Sequence, residues 1–285
     1  MNLLDVKISR PGLWFPTIWI YLVPFGNQEG FWKLPLFWLG LFFVTFPLNY
    51  LVYGLNDYND EKADAVNMRK GNFLFGAKAT RRQLDGLLTK ITFVIVPFIL
   101  LFTYLSGLKM LLLLLFMIGV NILYNFEPFR IKERPPFEIL IQTGYVATAF
   151  FCTELNNLDI LPWQTLIYLS LFAFQAHIAG EIMDLDPDLA SNKRTTATLI
   201  GRKKSKFLML ALLLLESYLL WFWFHDAVLA LFLLLFSFWL ILDVFVFFKN
   251  RPYSLPQMKL FGYAINLCAL LSMIWVLYSG KLLGA

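Results

Sequence analysis

Nine apolar runs of near membrane-spanning length follow one another along the chain, at about 12–25, 34–55, 91–106, 109–124, 137–155, 162–183, 207–224, 227–248 and 260–279. A helix rising 1.5 Å per residue needs about 20 apolar residues to cross the ~30 Å hydrocarbon core of a bilayer. The runs predict an all-α, polytopic membrane protein, a nine-helix transmembrane bundle forming a single domain over residues 1–285. Some runs are short and the second ends in charged residues, as expected where helix ends enclose a polar cavity rather than face lipid. The composition agrees: 59% of residues are hydrophobic, 18% aromatic and 15% charged, with a mean hydropathy of +0.65. That balance excludes a soluble enzyme, a disordered chain, collagen and a coiled coil.

The charges sit in the loops. Of the 24 Lys and Arg, all but Lys33, Lys109 and Lys281 fall before the first run or in 56–90, 125–136, 184–206 and 249–259, which nine crossings place on one side. The excess of positive charge makes that side cytoplasmic, with the N-terminus inside and the bundle in the cell membrane. A net charge of +5 distributed in this way gives no reason to expect nucleic acid as a partner. Pro11, Pro16 and Pro24 interrupt the first run and no small-residue cleavage site follows, so a removable signal peptide is not expected. Cys152 and Cys268 lie inside apolar runs without metal-ligand spacing, and both are expected to be packing residues.

The second run ends in Asn56, Asp57, Tyr58, Asn59, Asp60, Glu61, Lys62, Ala63 and Asp64. On a helix, Asn56, Asp60 and Asp64 are four apart and share a face, where like charges repel unless a cation sits against them. Magnesium suits this role, because it takes one or two carboxylates and fills its remaining positions with water and phosphate oxygens. The sixth run ends similarly, in Gly180, Glu181, Ile182, Met183, Asp184, Leu185, Asp186, Pro187 and Asp188. A shift of 124 residues lays Asp57 on Glu181, Asp60 on Asp184, Asp64 on Asp188, and the pair Arg69 and Lys70 on Lys193 and Arg194. Four runs separate the copies, so both have the same orientation, the signature of a parallel internal repeat. The repeats are expected at about 10–125 and 137–250, with a ninth helix added. Two acidic helix ends, each followed by a basic pair, form a site for a polyanion held through metal ions. A calcium loop of the EF-hand kind lacks support, since neither segment has the turn glycine at the sixth position or the closing Glu at the twelfth.

In these residues the chain resembles the UbiA superfamily of intramembrane prenyltransferases. Asn56, Asp57, Asp60 and Asp64 match its first motif, with Arg69 as the basic residue that follows. Asp184, Asp188, Arg194 and Thr195 match the second, and Tyr124, Arg130 and Lys132 look like the element between them. The resemblance runs from Ser9, Arg10 and Pro11 to about Gly201, and beyond that only the hydropathy matches. It implies a bundle around a central cavity with both motifs at its cytoplasmic end, and Mg2+-dependent transfer of a prenyl group from an allylic diphosphate to a hydrophobic acceptor. On this reading Asp60, Asp64, Asp184 and Asp188 are catalytic through the metal, and Asn56 and Asp57 join them as ligands. Arg69, Tyr124, Arg130, Lys132, Lys193 and Arg194 bind the diphosphate. An aromatic wall would shelter the allyl cation from water.

The acceptor is less legible. His177 seven residues before Asp184, Pro187 inside the second motif, and Thr195, Thr196, Ala197 and Thr198 after it are similar to the carotenoid-modifying branch, the lycopene elongases. A polyene acceptor is expected, with an aromatic quinone precursor, a lipid or a tetrapyrrole as alternatives. His177 lies two turns deeper than Asp184 on nearly the same face, at the acceptor end, as a catalytic base or as a structural histidine. Glu181 lies between them, placed to orient His177 or to help bind metal. His225, with Asp226 in an external loop, is expected to be solvated. Two other classes compete: a transporter of an anionic lipid or phosphate compound, and a phosphotransferase of the CDP-alcohol type, whose D-G-x-x-A-R signature is absent.

Overall fold

The computed structural model describes residues 2–284. Among them every regular element is helical, apart from one β-bridge between Asn72 and Gly76. The α-helices are α1 (Leu3–Ile8), α2 (Phe15–Leu22), α3 (Pro35–Val66), α4 (Arg81–Leu84), α5 (Leu87–Asn125), α6 (Phe137–Leu140), α7 (Ala147–Asn156), α8 (Trp163–Ala190), α9 (Thr196–Ile200), α10 (Arg202–Phe222), α11 (Ala227–Leu242) and α12 (Leu255–Ser279).

Six helices are long and apolar enough to cross a membrane: Pro35–Val66, Arg81–Asn125, Trp163–Ala190, Arg202–Phe222, Ala227–Phe247 and Leu255–Ser279. The run expected at 12–25 forms the shorter apolar helix Phe15–Phe25. The run expected at 137–155 is built from α6, the 3-10 turns Ile141–Val146 and α7. Length and composition thus mark six helices able to cross a membrane, and the ninefold count of crossings stays an expectation. Large apolar side chains point outward around the bundle, among them Phe93 (76% exposed), Tyr104 (87%) and Tyr278 (76%). A surface of that kind belongs in lipid.

The runs expected at 91–106 and 109–124 form α5, which is broken at Gly107 (φ 77, ψ −162). Its two arms fold back on each other. Ile91 packs against Gly54, while Asn125 shares Lys132 with Asp60. Gly54 and Asp60 are under two turns apart, whereas residues 91 and 125 on a continuous helix would stand about 51 Å apart. Only glycine adopts such a backbone without strain. The fold of α5 over α3 builds an aromatic core in which Phe43, Phe102 and Phe151 meet pairwise at 5.0–5.2 Å between ring centres.

Both acidic motifs are helical. The apolar runs stop at 55 and 183, but α3 continues to Val66 and α8 to Ala190, past Pro187. Around Pro47 the ladder of α3 is disturbed, and the Asn49 amide and Thr17 hydroxyl donate to the carbonyl of Val44, both at 2.8 Å, tying α2 to α3.

The loops sort into two groups. Arg10 with Asp57, Lys132 with Asp60, Arg69 with Asp184, and Lys206 with the carbonyl of Lys249 join the basic loops at one end of the bundle. At the other end, Asn27 N donates to Leu277 O at 2.8 Å, Asn156 to Tyr21 Oη at 3.3 Å, and Lys281 to His225 O at 2.8 Å. From the basic end a cavity of about 950 Å³ descends between α2, α3, α5, α8, α10, α11 and α12.

Candidate functional site

The mouth of the cavity is an ion network. Asn56 and Asp60 come from α3, Asp184 and Asp188 from α8, and Arg69, Lys132 and Lys193 from the loops, and all seven line the cavity. Asp60 is buried between two ammonium groups: Lys132 donates to Oδ1 at 2.6 Å and Lys193 to Oδ2 at 2.8 Å. Lys193 also lies 3.7 Å from Asp188. Asp184 accepts from the Arg69 guanidinium and from Asn67 at 2.8 Å. Burial works against the charge of Lys193, but Asp60 and then Asp188 outweigh it and hold its pKa above the ordinary lysine range. Lys132 goes the other way. Burial pushes its ammonium below the ordinary range, Asp60 offsets only part of that, and Lys193 and Arg130 add repulsion.

Asp57 and Asp64 stand outside this mouth. Both pair with Lys70 at 2.8 Å, and Asp57 also accepts from Arg10 at 2.5 Å. The reason is helical pitch. Seven residues at 100° each return to within about 20° of the start, so Asp57 and Asp64 share a face. Asp60, by contrast, is offset from Asp64 by about 40°. The four-residue spacing alone had put Asp64 with Asp60, and the motif resemblance had added Asp57 to the ligands. Arg130 also stands aside: it binds Glu133 at 2.7 Å, lies 3.9 Å from Asp60, and does not line the cavity. Arg194 is exposed and outside the cavity lining.

Below the ion network the wall becomes mixed. Tyr124 and His177 line it, edge to face with ring centres 6.3 Å apart. His177 Nε2 is 3.1 Å from Glu181 Oε1, and the other oxygen of Glu181 accepts the backbone N–H of Ala197 at 2.9 Å. Glu138 accepts from the backbone N–H and hydroxyl of Thr196, at 2.6 and 2.5 Å. Two buried glutamates therefore hold the start of α9, next to Lys193. Of the cysteines, Cys152 is fully buried as expected, while Cys268 lines the cavity. His225 is exposed in its loop.

Sequence reasoning named Arg10 and Lys70 without giving them this task, and passed over Asn67, Asn125, Glu138 and Glu216. The loop residues carry no periodicity that would reveal their partners. Glu216 did carry a signal, as a lone acid within an apolar run.

Among the described residues no three His, Cys, Asp or Glu side chains converge as a ready metal cage. Magnesium does not require one, because one or two carboxylates suffice when water and phosphate complete the octahedron. The side chains present suit it. Lys193 is a cation held between carboxylates of both motifs, Asp60 and Asp188, and the remaining donors, from Asn56 and Asp184, are hard oxygens lining the same cavity.

Residues 13–266 match the UbiA prenyltransferase family. The chain belongs to that family. It is a polytopic membrane prenyltransferase. Lycopene elongase/hydratase of Corynebacterium glutamicum is 30% identical over 219 residues, covering 74% of each chain. A protein of the same name from Haloarcula japonica is 26% identical over 207 residues, 71% of this chain and 68% of that one. The UbiA homolog of Archaeoglobus fulgidus bound to DMAPP and Mg2+ superimposes with a TM-score of 0.70 at 14% identity, over 96% of this chain and 99% of that one. This UbiA fold places the two acidic helix ends side by side at one end of a membrane-embedded cavity.

Proposed function

We propose that this UbiA-family protein transfers a short prenyl group from an allylic diphosphate to a polyene such as lycopene, within the membrane. The observation that carries the reading is the pairing of both motifs with cations at the mouth of a cavity whose depth is apolar: Asp60 with Lys132 and Lys193, Asp184 with Arg69. The relatives named lycopene elongase/hydratase support the acceptor, and the homolog bound to DMAPP and Mg2+ supports the donor. The same cross-pairing supports two repeats within one domain, and the basic loops support a cytoplasmic mouth.

Bound magnesium would neutralise the leaving diphosphate, and Asn56, Asp60, Asp184 and Asp188 are the residues placed to hold it. Arg69, Lys132 and Lys193 then hydrogen-bond diphosphate oxygens, as charge-assisted donors fixed in place before the reaction. The allylic C–O bond breaks with its electron pair leaving on the diphosphate. Below, Tyr124 and the apolar wall keep water from the allyl cation, and Tyr124 presents a ring. A terminal double bond of the acceptor supplies the electron pair for the new C–C bond, and the charge passes to the acceptor. His177, oriented by Glu181, accepts the proton that restores a double bond; capture of one water molecule instead gives an alcohol and releases a proton.

Incubation of the purified protein with magnesium, labelled prenyl diphosphates and a panel of acceptors tests this directly. Coupled product with lycopene is the expected outcome. Turnover of an aromatic acid with no response to lycopene would move the acceptor to a quinone precursor, and diphosphate transport without turnover would replace catalysis altogether.

A further inference from the structure

Glu216 is a fully buried acid, and both its carboxyl oxygens lack a hydrogen-bond partner among the described residues. It lines the cavity with Leu213, Leu229, Phe232, Leu233 and Phe236. An acid without a partner in an apolar membrane segment is costly, and such residues face a cavity or a ligand. The nearest cation on its own helix is already paired. Lys206, the nearest toward the start of α10, is committed to Asp243 at 2.7 Å and to the carbonyl of Lys249 at 3.0 Å. Ser217, next along the chain, spends its hydroxyl on Ala230 O at 2.9 Å.

The depth of Glu216 says what meets it. Arg202 at the start of α10 binds Asp186 at the basic end, at 2.9 Å. Glu216 lies fourteen residues further on, about 20 Å down the helix. That is well beyond a diphosphate and a five-carbon unit, in the part of the cavity that only a long acceptor reaches. A hydroxyl is the neutral group that serves a carboxyl in either protonation state, since it donates and accepts.

We propose that Glu216 binds a hydroxyl carried by the acceptor isoprenoid beyond its reacting end, about 20 Å down the helix from the basic mouth, so that the cavity prefers a hydroxylated polyene to the plain hydrocarbon. The assignment rests on the prenyl-transfer reading for the identity of the acceptor, but it is tested by binding alone. Trp19 and Trp239 line the cavity and report a polyene by quenching of their emission. Two probes suffice: an acyclic C40 polyene hydrocarbon and the same polyene bearing one hydroxyl.

The full-length protein should bind the hydroxylated probe about tenfold more tightly, the worth of one buried hydrogen bond. Glu216→Leu should abolish the difference and Glu216→Gln should keep most of it. Glu216→Leu should also melt at a higher temperature, because it removes a buried unpartnered carboxyl. Equal affinity for the two probes in the wild type, or an unchanged preference in Glu216→Leu, overturns the assignment. Pyrophosphate release and coupled product are measured in parallel. Their absence while the preference stands refutes prenyl transfer and leaves the hydroxyl site in place.

Discussion

Lys193, in the loop after α8, reaches Asp60 of α3 at 2.8 Å. The residue 124 positions before Lys193 is Arg69, and it pairs with Asp184, which is 124 positions after Asp60. Each acidic motif therefore takes a cation from the loop of the other. The two halves of the site depend on each other, and damage to one is felt in both.

Asp60→Ala and Asp184→Ala should each abolish turnover, and chelation of divalent metal should do the same to the wild type. Removing Asp60 also leaves the buried Lys132 and the half-buried Lys193 without their main partner, and breaking a buried pair costs about 3–5 kcal/mol. Activity and melting temperature are therefore measured together, with Asp60→Asn as the isosteric control. Full activity in a folded Asp60→Asn protein would contradict its place at the metal.

Arg69→Ala and Lys193→Ala should raise the diphosphate KM by about tenfold to a hundredfold, the equivalent of a hydrogen bond to a charged group. Arg194→Ala, an exposed residue outside the cavity, should leave it unchanged. A large effect at Arg194 would show that its loop folds inward during turnover.

Asp57→Ala should behave differently from Asp60→Ala. It strips Arg10 and Lys70 of a shared buried carboxylate, so thermal stability should fall by the ~3–5 kcal/mol typical of a broken buried pair. In the fraction that folds, half-maximal activity should come at the same magnesium concentration as in the wild type. A shift of that midpoint to higher magnesium would return Asp57 to the metal ligands.

His177→Ala should still release pyrophosphate from the allylic diphosphate, while its coupled product falls or changes double-bond position. Mass and NMR analysis of the products decides this. The wild-type product in wild-type yield would make His177 a structural partner of Glu181 and nothing more.

Single cysteines at Lys78 and Glu29 should react with an impermeant thiol reagent from opposite sides of the membrane. Labelling of both from one side would contradict the orientation drawn from the basic loops.

Much of this fold was legible because a lipid environment limits the backbone to helices, and the apolar runs mark them. The break at Gly107 lay where the third and fourth runs met. The limits of hydropathy show at α3 and α8, which continue for several turns through acids because cations from the loops neutralise them. The grouping of Asn56, Asp60, Asp184 and Asp188, which line one cavity, was legible because their four-residue spacing is local. Arg10, Asn67 and Asn125 were not, since their partners lie in other elements and no pattern along the chain records those distances. Asp64, expected beside Asp60, is paired with Lys70 instead, because the helix has 3.6 residues per turn and not four. Two turns bring Asp64 back to Asp57 and away from Asp60.

The seam between the two ends of the chain has a bearing on how the protein is made. Asn266 of α12 donates to Gly12 O across 254 residues, and Trp19 of α2 donates to Ser272 across 253. Both helices line the cavity, so this wall joins membrane segments synthesised about 250 residues apart. Contacts so distant in sequence form late, after the chain between them is in place. Until α12 docks, the nascent bundle is an open cleft facing lipid on that side, and the enclosed cavity comes into being only then.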